Sequence, residues 1–295
     1  MTDKEVLKQK AAPVIQLLNA CPYGEPIPSD WKAPEEFNFE KFSVHNIPIE
    51  HLSSKENPNG KTVFQIHGGG FLYPYLDAYR EVACSYSKAA GGADVYSLDY
   101  RVAPKDKYPA ALDDCVAVYQ WLLEHKTEAN DLIIVGDSAG GNLVLALTLK
   151  IKDMGIPLPK AVIALSPWAC LDSEYGTKKT QCDSDIILGT TGVKIGKVVF
   201  DTDFYIDKED YKKPYVSPVY GNYEGFPDLL LQAGGVELLL GDVQGVAKAA
   251  REAGVNCQFT VYEGMSHDFQ LFLSDIEESQ QAWKELSEFM VKEFK

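Results

Sequence analysis

The stretch Asp131-Leu132-Ile133-Ile134-Val135-Gly136-Asp137-Ser138-Ala139-Gly140 decides how this chain is read. Within its first five residues, Leu132-Ile133-Ile134-Val135 form a short apolar run, as in a strand buried on both faces. The run Asn142-Leu143-Val144-Leu145-Ala146-Leu147 that follows continues as a helix. Between them, Gly136 and Gly140 permit a turn so tight that a side chain at either position would meet neighbouring backbone. Such a turn lifts the Ser138 hydroxyl out of a sheet and sets it at a helix N-terminus, whose dipole favours negative charge. A nucleophilic serine needs that placement. A spectator serine in a glycine-rich turn is the other reading of these ten residues.

Outward from this turn, strands and helices alternate. Apolar strands are expected at 62–66, 93–98, 131–135, 160–165, 228–233 and 257–262, with helices at about 77–90, 109–126, 139–153, 242–253 and 276–293. Near-continuously apolar strands separated by helices imply a parallel sheet covered on both faces, an α/β class. Residues 4–20 carry Val6, Leu7, Val14, Ile15, Leu17 and Leu18 at helical spacing. A proline-rich stretch follows, with Pro22, Pro26, Pro28 and Pro34, and no regular element is expected there. Residues 42–52 read as one extended segment ending at an Asn57-Pro58-Asn59-Gly60 turn. From Cys170 to about Pro218 the alternation stops, for longer than a plain loop allows. This interval is expected to be an inserted, mostly helical cap. Residues 1–295 are thus expected to form a single domain, with a cap from about 1–41 and 170–218.

Composition narrows the function. Of 295 residues, 28 are Lys or Arg and 43 are Asp or Glu, a net charge of −15. A surface this acidic repels phosphate backbones and anionic membranes, so neither nucleic acid nor membrane is an expected partner. No apolar run is long enough to span a bilayer, and the first residues lack the apolar stretch of a signal peptide. Six scattered cysteines (21, 84, 115, 170, 182 and 257) contain no CxxC pair. They are expected to be free thiols in a cytoplasmic protein without a disulfide framework or a zinc site.

A second glycine-rich segment, His67-Gly68-Gly69-Gly70, follows the strand at 62–66. Three glycines let backbone N–H groups face a ligand, where they stabilise the oxyanion formed on an attacked carbonyl. Ser138 needs a base, because a hydroxyl at its normal pKa is a weak nucleophile. His67 belongs to the glycine loop, and His45, His51 and His125 lie in an early strand or on a polar helix end. His267, in Gly264-Met265-Ser266-His267-Asp268-Phe269, falls just after the last strand, at the carboxyl edge where open α/β sheets bind ligands. An acid is expected between Ser138 and His267 in chain order. Glu237 lies four residues past the strand at 228–233 among apolar neighbours; Asp242 is the alternative, although it reads equally as a helix N-cap.

Together these segments resemble the hormone-sensitive-lipase-like branch of the α/β-hydrolases, the bacterial family IV carboxylesterases. Asp99-Tyr100-Arg101-Val102-Ala103-Pro104, the Tyr108–Asp114 run and Ser166-Pro167-Trp168 match further signatures of that branch, and Gly136–Gly140 has the GDSAG form of one of its subgroups. The likeness runs from His67 to His267. It implies an α/β-hydrolase fold with a mostly parallel eight-stranded sheet and a helical cap. By position it puts the oxyanion donors on Gly69, Gly70 and Ala139. Most relatives carry aspartate where this chain has Glu237. Arg101 is expected to pair with Asp113 or Asp114, and Phe71, Tyr73, Trp168 and Phe204 to lie near the pocket mouth or in the core.

The resemblance further implies a cofactor-free serine esterase for short-chain acyl esters, with Ser138, Glu237 and His267 catalytic, acting through an acyl-enzyme. A small-molecule ester is the expected partner, and the protein is open to homo-oligomerisation. The same triad also serves amidases, arylformamidases and carbohydrate acetyl esterases, and a relative without a working base serves as a ligand-binding receptor.

Overall fold

A computed structural model describes residues 3–25 and 27–295; Met1, Thr2 and Pro26 lie outside the described residues. One eight-stranded sheet forms the frame. Its strands are β1 (Phe37–Val44), β2 (Ile47–Ser54), β3 (Thr62–Ile66), β4 (Asp94–Leu98), β5 (Leu132–Asp137), β6 (Ala161–Leu165), β7 (Asp228–Gly234) and β8 (Cys257–Tyr262). They lie in the order β1-β2-β4-β3-β5-β6-β7-β8. β1 and β2 are antiparallel to their neighbours, and β3 through β8 run parallel.

The helices are α1 (Asp3–Ala20), α2 (Asp77–Ala89), α3 (Ala110–His125), α4 (Ser138–Asp153), α5 (Lys178–Gln181), α6 (Leu240–Glu252), α7 (Phe269–Phe272) and α8 (Glu277–Glu293). β3, β5 and β6 are buried along their whole length, as helices on both faces require. Alternate residues feed two cores. Phe64, Ile66 and Ile134 pack on the face with α3 and α4, while Val63, Ile133 and Val135 pack with residues of α2 and α8. No helix among the described residues is long and apolar enough to cross a membrane.

Two expectations are corrected. The segment expected at 42–52 is not one extended run: it spans the end of β1, a turn at His45 and Asn46, both with positive φ, and most of β2, the two strands forming a hairpin. Turns of this kind favour Asn and Gly; the usual glycine is missing, so the turn is weakly marked. The 170–218 interval is not mostly helical. It contains the single turn α5 and short 3₁₀ turns at Lys194–Val199 and Lys208–Asp210.

That interval is nonetheless tied to α1 and to the sheet's carboxyl edge. Lys4 Nζ donates to the Asp183 carbonyl at 3.1 Å, and the Lys194 N–H donates to Asn19 Oδ1 at 2.6 Å. The Tyr73 hydroxyl donates to the Leu18 carbonyl at 2.8 Å. Lys178 of α5 makes a fully buried ion pair with Asp242 of α6.

Candidate active site

The turn between β5 and α4 needs its glycines for measurable reasons. A Cβ at Gly140 would lie 2.1 Å from the Ile66 carbonyl oxygen, and one at Gly136 would lie 2.5 Å from that of Gly140. Both obstacles are backbone. Ser138 takes the strain that remains, with φ of +51°. Left-handed backbone is costly for a non-glycine residue and concentrates at functional sites.

His267 approaches from the loop after β8. Its Nε2 lies 2.9 Å from Ser138 Oγ, across 129 residues of sequence. Both side chains are nearly buried, at 2 % and 8 % exposure, yet both line the same cavity. The arrangement fits proton transfer from hydroxyl to imidazole.

Glu237 is wholly buried just beyond β7. Its Oε2 accepts from Ser166 Oγ at 2.7 Å and from the Gly234 N–H at 2.8 Å. Among the described residues its Oε1 has no hydrogen-bond partner, and neither has His267 Nδ1. An acceptor and a ring nitrogen are thus both left unsatisfied, and the expected bond from Nδ1 to Glu237 is not made in this conformation. Burial pushes the Glu237 carboxyl up, to about 8, against the charge of His267 and the two donated hydrogen bonds. Burial opposes charging of His267, but Asp268 and then Glu237 outweigh it and raise the imidazole to about 9.

Asp242 is occupied elsewhere. It is the third residue of α6, so the N-cap reading is corrected as well. Its Oδ2 accepts from the Cys170 N–H at 2.8 Å, and its Oδ1 meets Lys178.

Gly69 and Gly70 have φ of +103° and +62°, a backbone that glycine adopts without strain. Both line the cavity with Ser138. Ala139 lies in the first turn of α4, where N–H groups lack a helical acceptor. The glycine loop is fastened to the serine turn, since the Gly68 N–H donates to Asp137 Oδ1 at 3.2 Å and Tyr79 donates to Asp137 Oδ2 at 2.9 Å. His67 is buried and stacked on Tyr100, and burial lowers it to about 4, so it stays neutral.

The cavity, together with the open space at its mouth, comprises about 840 Å³. Its lining includes Ala78, Val82 and Leu271, together with Ile187, Leu188 and Ile195 from the 170–218 segment. Tyr73 and Trp168 also line it, as does Leu18 of α1. Phe71 and Phe204 pack on Tyr205 instead, Phe71 at 4.0 Å between ring centroids. Arg101 pairs with Asp114, leaving Asp113 to Lys150.

Two site residues escaped the sequence reading. Asp268, with φ of +49°, lines the cavity and holds Oδ2 2.9 Å from His267 Nε2. Asp185, in the 170–218 segment, accepts from the Ile187 and Leu188 N–H groups and reaches the N–H of Leu238. Its neighbour Ile186 donates to Ser266 Oγ at 3.1 Å. Immediate adjacency to His267 was the one sequence signal for Asp268; Asp185 had none.

Residues 63–271 match a family model described as alpha/beta hydrolase fold. The chain belongs to this family. Within it, the acetyl-hydrolase of Streptomyces hygroscopicus is 34 % identical over 71 % of this chain and 68 % of its own. An esterase of Acinetobacter venetianus is 34 % identical over 77 % of this chain and 73 % of its own. The crystal structure of an esterase from the bacterial hormone-sensitive lipase family superposes with a TM-score of 0.86 at 28 % identity, covering all of both chains. The family assignment places this chain among the carboxylic ester hydrolases of the hormone-sensitive-lipase-like branch.

Proposed function

We propose that this chain is a serine carboxylesterase for small apolar esters, working through an acyl-enzyme. The observation that carries the reading is the 2.9 Å contact between Ser138 Oγ and His267 Nε2 at the wall of a cavity that Gly69 and Gly70 also line. In this mechanism Ser138 attacks the ester carbonyl while His267 takes its proton. The oxyanion is held by the N–H groups of Gly69, Gly70 and Ala139. His267 returns the proton to the leaving alcohol, and water clears the acyl group by the same route. Glu237 holds the imidazole and stabilises its charged form once Nδ1 turns to Oε1.

The cavity bears on the substrate. Its walls are mostly Leu, Ile, Val and aromatic side chains. Acetylated sugars call for a denser set of hydrogen-bonding groups, so alkyl and aryl esters of short acids fit better. α1 and the 170–218 segment would serve as the cap, since both supply cavity wall. The contact between Ser138 and His267 also favours an enzyme over a receptor that has lost its base. Six unpaired cysteines suit a reducing compartment and support a cytoplasmic location.

Hydrolysis of p-nitrophenyl acetate and butyrate, with labelling of Ser138 by a fluorophosphonate, tests the reading. Ser138→Ala should abolish labelling and lower kcat by roughly 10⁴–10⁶. Turnover by that variant near the wild-type rate would sink the proposal.

A further inference from the structure

We propose that Asp268 makes this site an amidase as well as an esterase, by accepting a hydrogen bond from the N–H of a secondary amide substrate. The inference rests on the serine mechanism above. In that mechanism His267 Nε2 hands its proton to the leaving atom, so the leaving atom must come within hydrogen-bond reach of Nε2. Asp268 Oδ2 already lies 2.9 Å from that nitrogen, and Asp268 lines the cavity. Its other oxygen, Oδ1, is buried without a hydrogen-bond partner. When Nε2 turns its proton to the leaving atom, Oδ2 loses its partner, so a group at the leaving position sits beside a carboxylate oxygen able to accept.

The two substrate classes use that carboxylate differently. An ester oxygen carries no hydrogen, so it offers the Asp268 carboxylate nothing to accept. An amide nitrogen carries one hydrogen that must be accommodated while its lone pair turns toward Nε2. A carboxylate beside Nε2 accepts that hydrogen as the tetrahedral intermediate forms, which is stabilisation an ester does not receive. The step balances as ordinary acyl transfer. Ser138 Oγ bonds to the carbonyl carbon and its proton passes to His267. That proton then moves to the nitrogen, the C–N bond breaks and the amine leaves. Water hydrolyses the acyl-enzyme, releasing the carboxylic acid and restoring Ser138. Asp268 only accepts a hydrogen bond and ends unchanged.

The backbone decides which variants are informative. Asp268 sits in left-handed backbone that glycine and asparagine tolerate and alanine does not. Asp268→Gly removes the acceptor, whereas Asp268→Asn keeps one acceptor oxygen. Each protein is assayed with p-nitrophenyl butyrate and butyryl p-nitroanilide, and rates are scaled to the sites titrated by a fluorophosphonate. The readout is the ratio of anilide to ester kcat/KM within each protein, so partial unfolding cancels. We expect measurable anilide cleavage by the wild type, a ratio about tenfold or more lower in Asp268→Gly, and an intermediate ratio in Asp268→Asn. Ester turnover without anilide turnover, or one ratio in all three proteins, overturns the inference and leaves the esterase reading standing. Absence of both ester turnover and labelling overturns the two together.

Discussion

The backbone N–H of Leu238 donates to Asp185 Oδ2 at 2.9 Å, joining the turn that carries Glu237 to a segment 53 residues earlier. The other oxygen of Asp185 accepts from the N–H groups of Ile187 and Leu188, two residues of the cavity wall. One buried carboxylate thus fixes both a wall of the cavity and the loop that carries Glu237.

Asp185→Asn leaves at least one of these N–H groups facing an amide hydrogen. Stability should fall by about 2 kcal/mol, read by denaturant titration, because buried donors are left unsatisfied. The Asp185 charge also raises both Glu237 and His267. Its removal should therefore move the acid limb of kcat/KM to lower pH, an effect that lost packing alone does not produce. An unmoved limb would deny Asp185 any role in setting the site.

Glu237 and Asp242 should separate cleanly. Glu237→Gln should cost roughly 10³–10⁴ in kcat with little change in melting temperature, as expected when an orienting acid is neutralised. Asp242→Asn strands the buried Lys178 charge and should cost about 3–5 kcal/mol of stability. The fraction still folded, counted by fluorophosphonate titration, should turn over within about threefold of wild type. The reverse pattern would make Asp242 the acid.

The pH profile follows from His267. Only the neutral imidazole accepts the Ser138 proton, so kcat/KM should rise with pH until His267 is deprotonated, near its value of about 9. Asp268 is the largest influence raising it, ahead of Glu237 and Asp185. Asp268→Asn removes that charge, and the limb should shift toward lower pH. Initial rates on p-nitrophenyl butyrate from pH 5 to 10, corrected for spontaneous hydrolysis, check the direction. A shift to higher pH would contradict the ion pair.

Cavity width should govern acyl length. Val198 lines the cavity and would lie 3.5 Å from a Cβ placed on Gly70. Val198→Phe fills this corner and should lower kcat/KM on the hexanoate ester by roughly tenfold more than on the acetate ester. Equal losses on both esters would mean that the acyl chain lies elsewhere.

The parts of this molecule legible in its sequence are those whose physics is local. Gly136, Ser138 and Gly140 announce their turn because each steric demand arises from nearby backbone, and β3, β5 and β6 are apolar because both their faces are covered. β1 was obscured because Phe37–Val44 carries Asn38, Glu40 and Lys41 on an exposed sheet edge. The short helical turns of the 170–218 segment depend on distant partners, Asp242 for Lys178 and Leu238 for Asp185, which no local period records. Asp268 gains its place from a left-handed φ, which residue type alone does not reveal.

The Asp185 clamp bears on attempts to retune this scaffold. Residues 170–218 look like an exchangeable module, to be swapped among relatives for a different selectivity. Because the same stretch fastens the turn beside Glu237, and its Ile186 grips Ser266 next to the base, a transplanted version lacking an equivalent carboxylate would arrive with its own wall intact and the host's proton relay loosened.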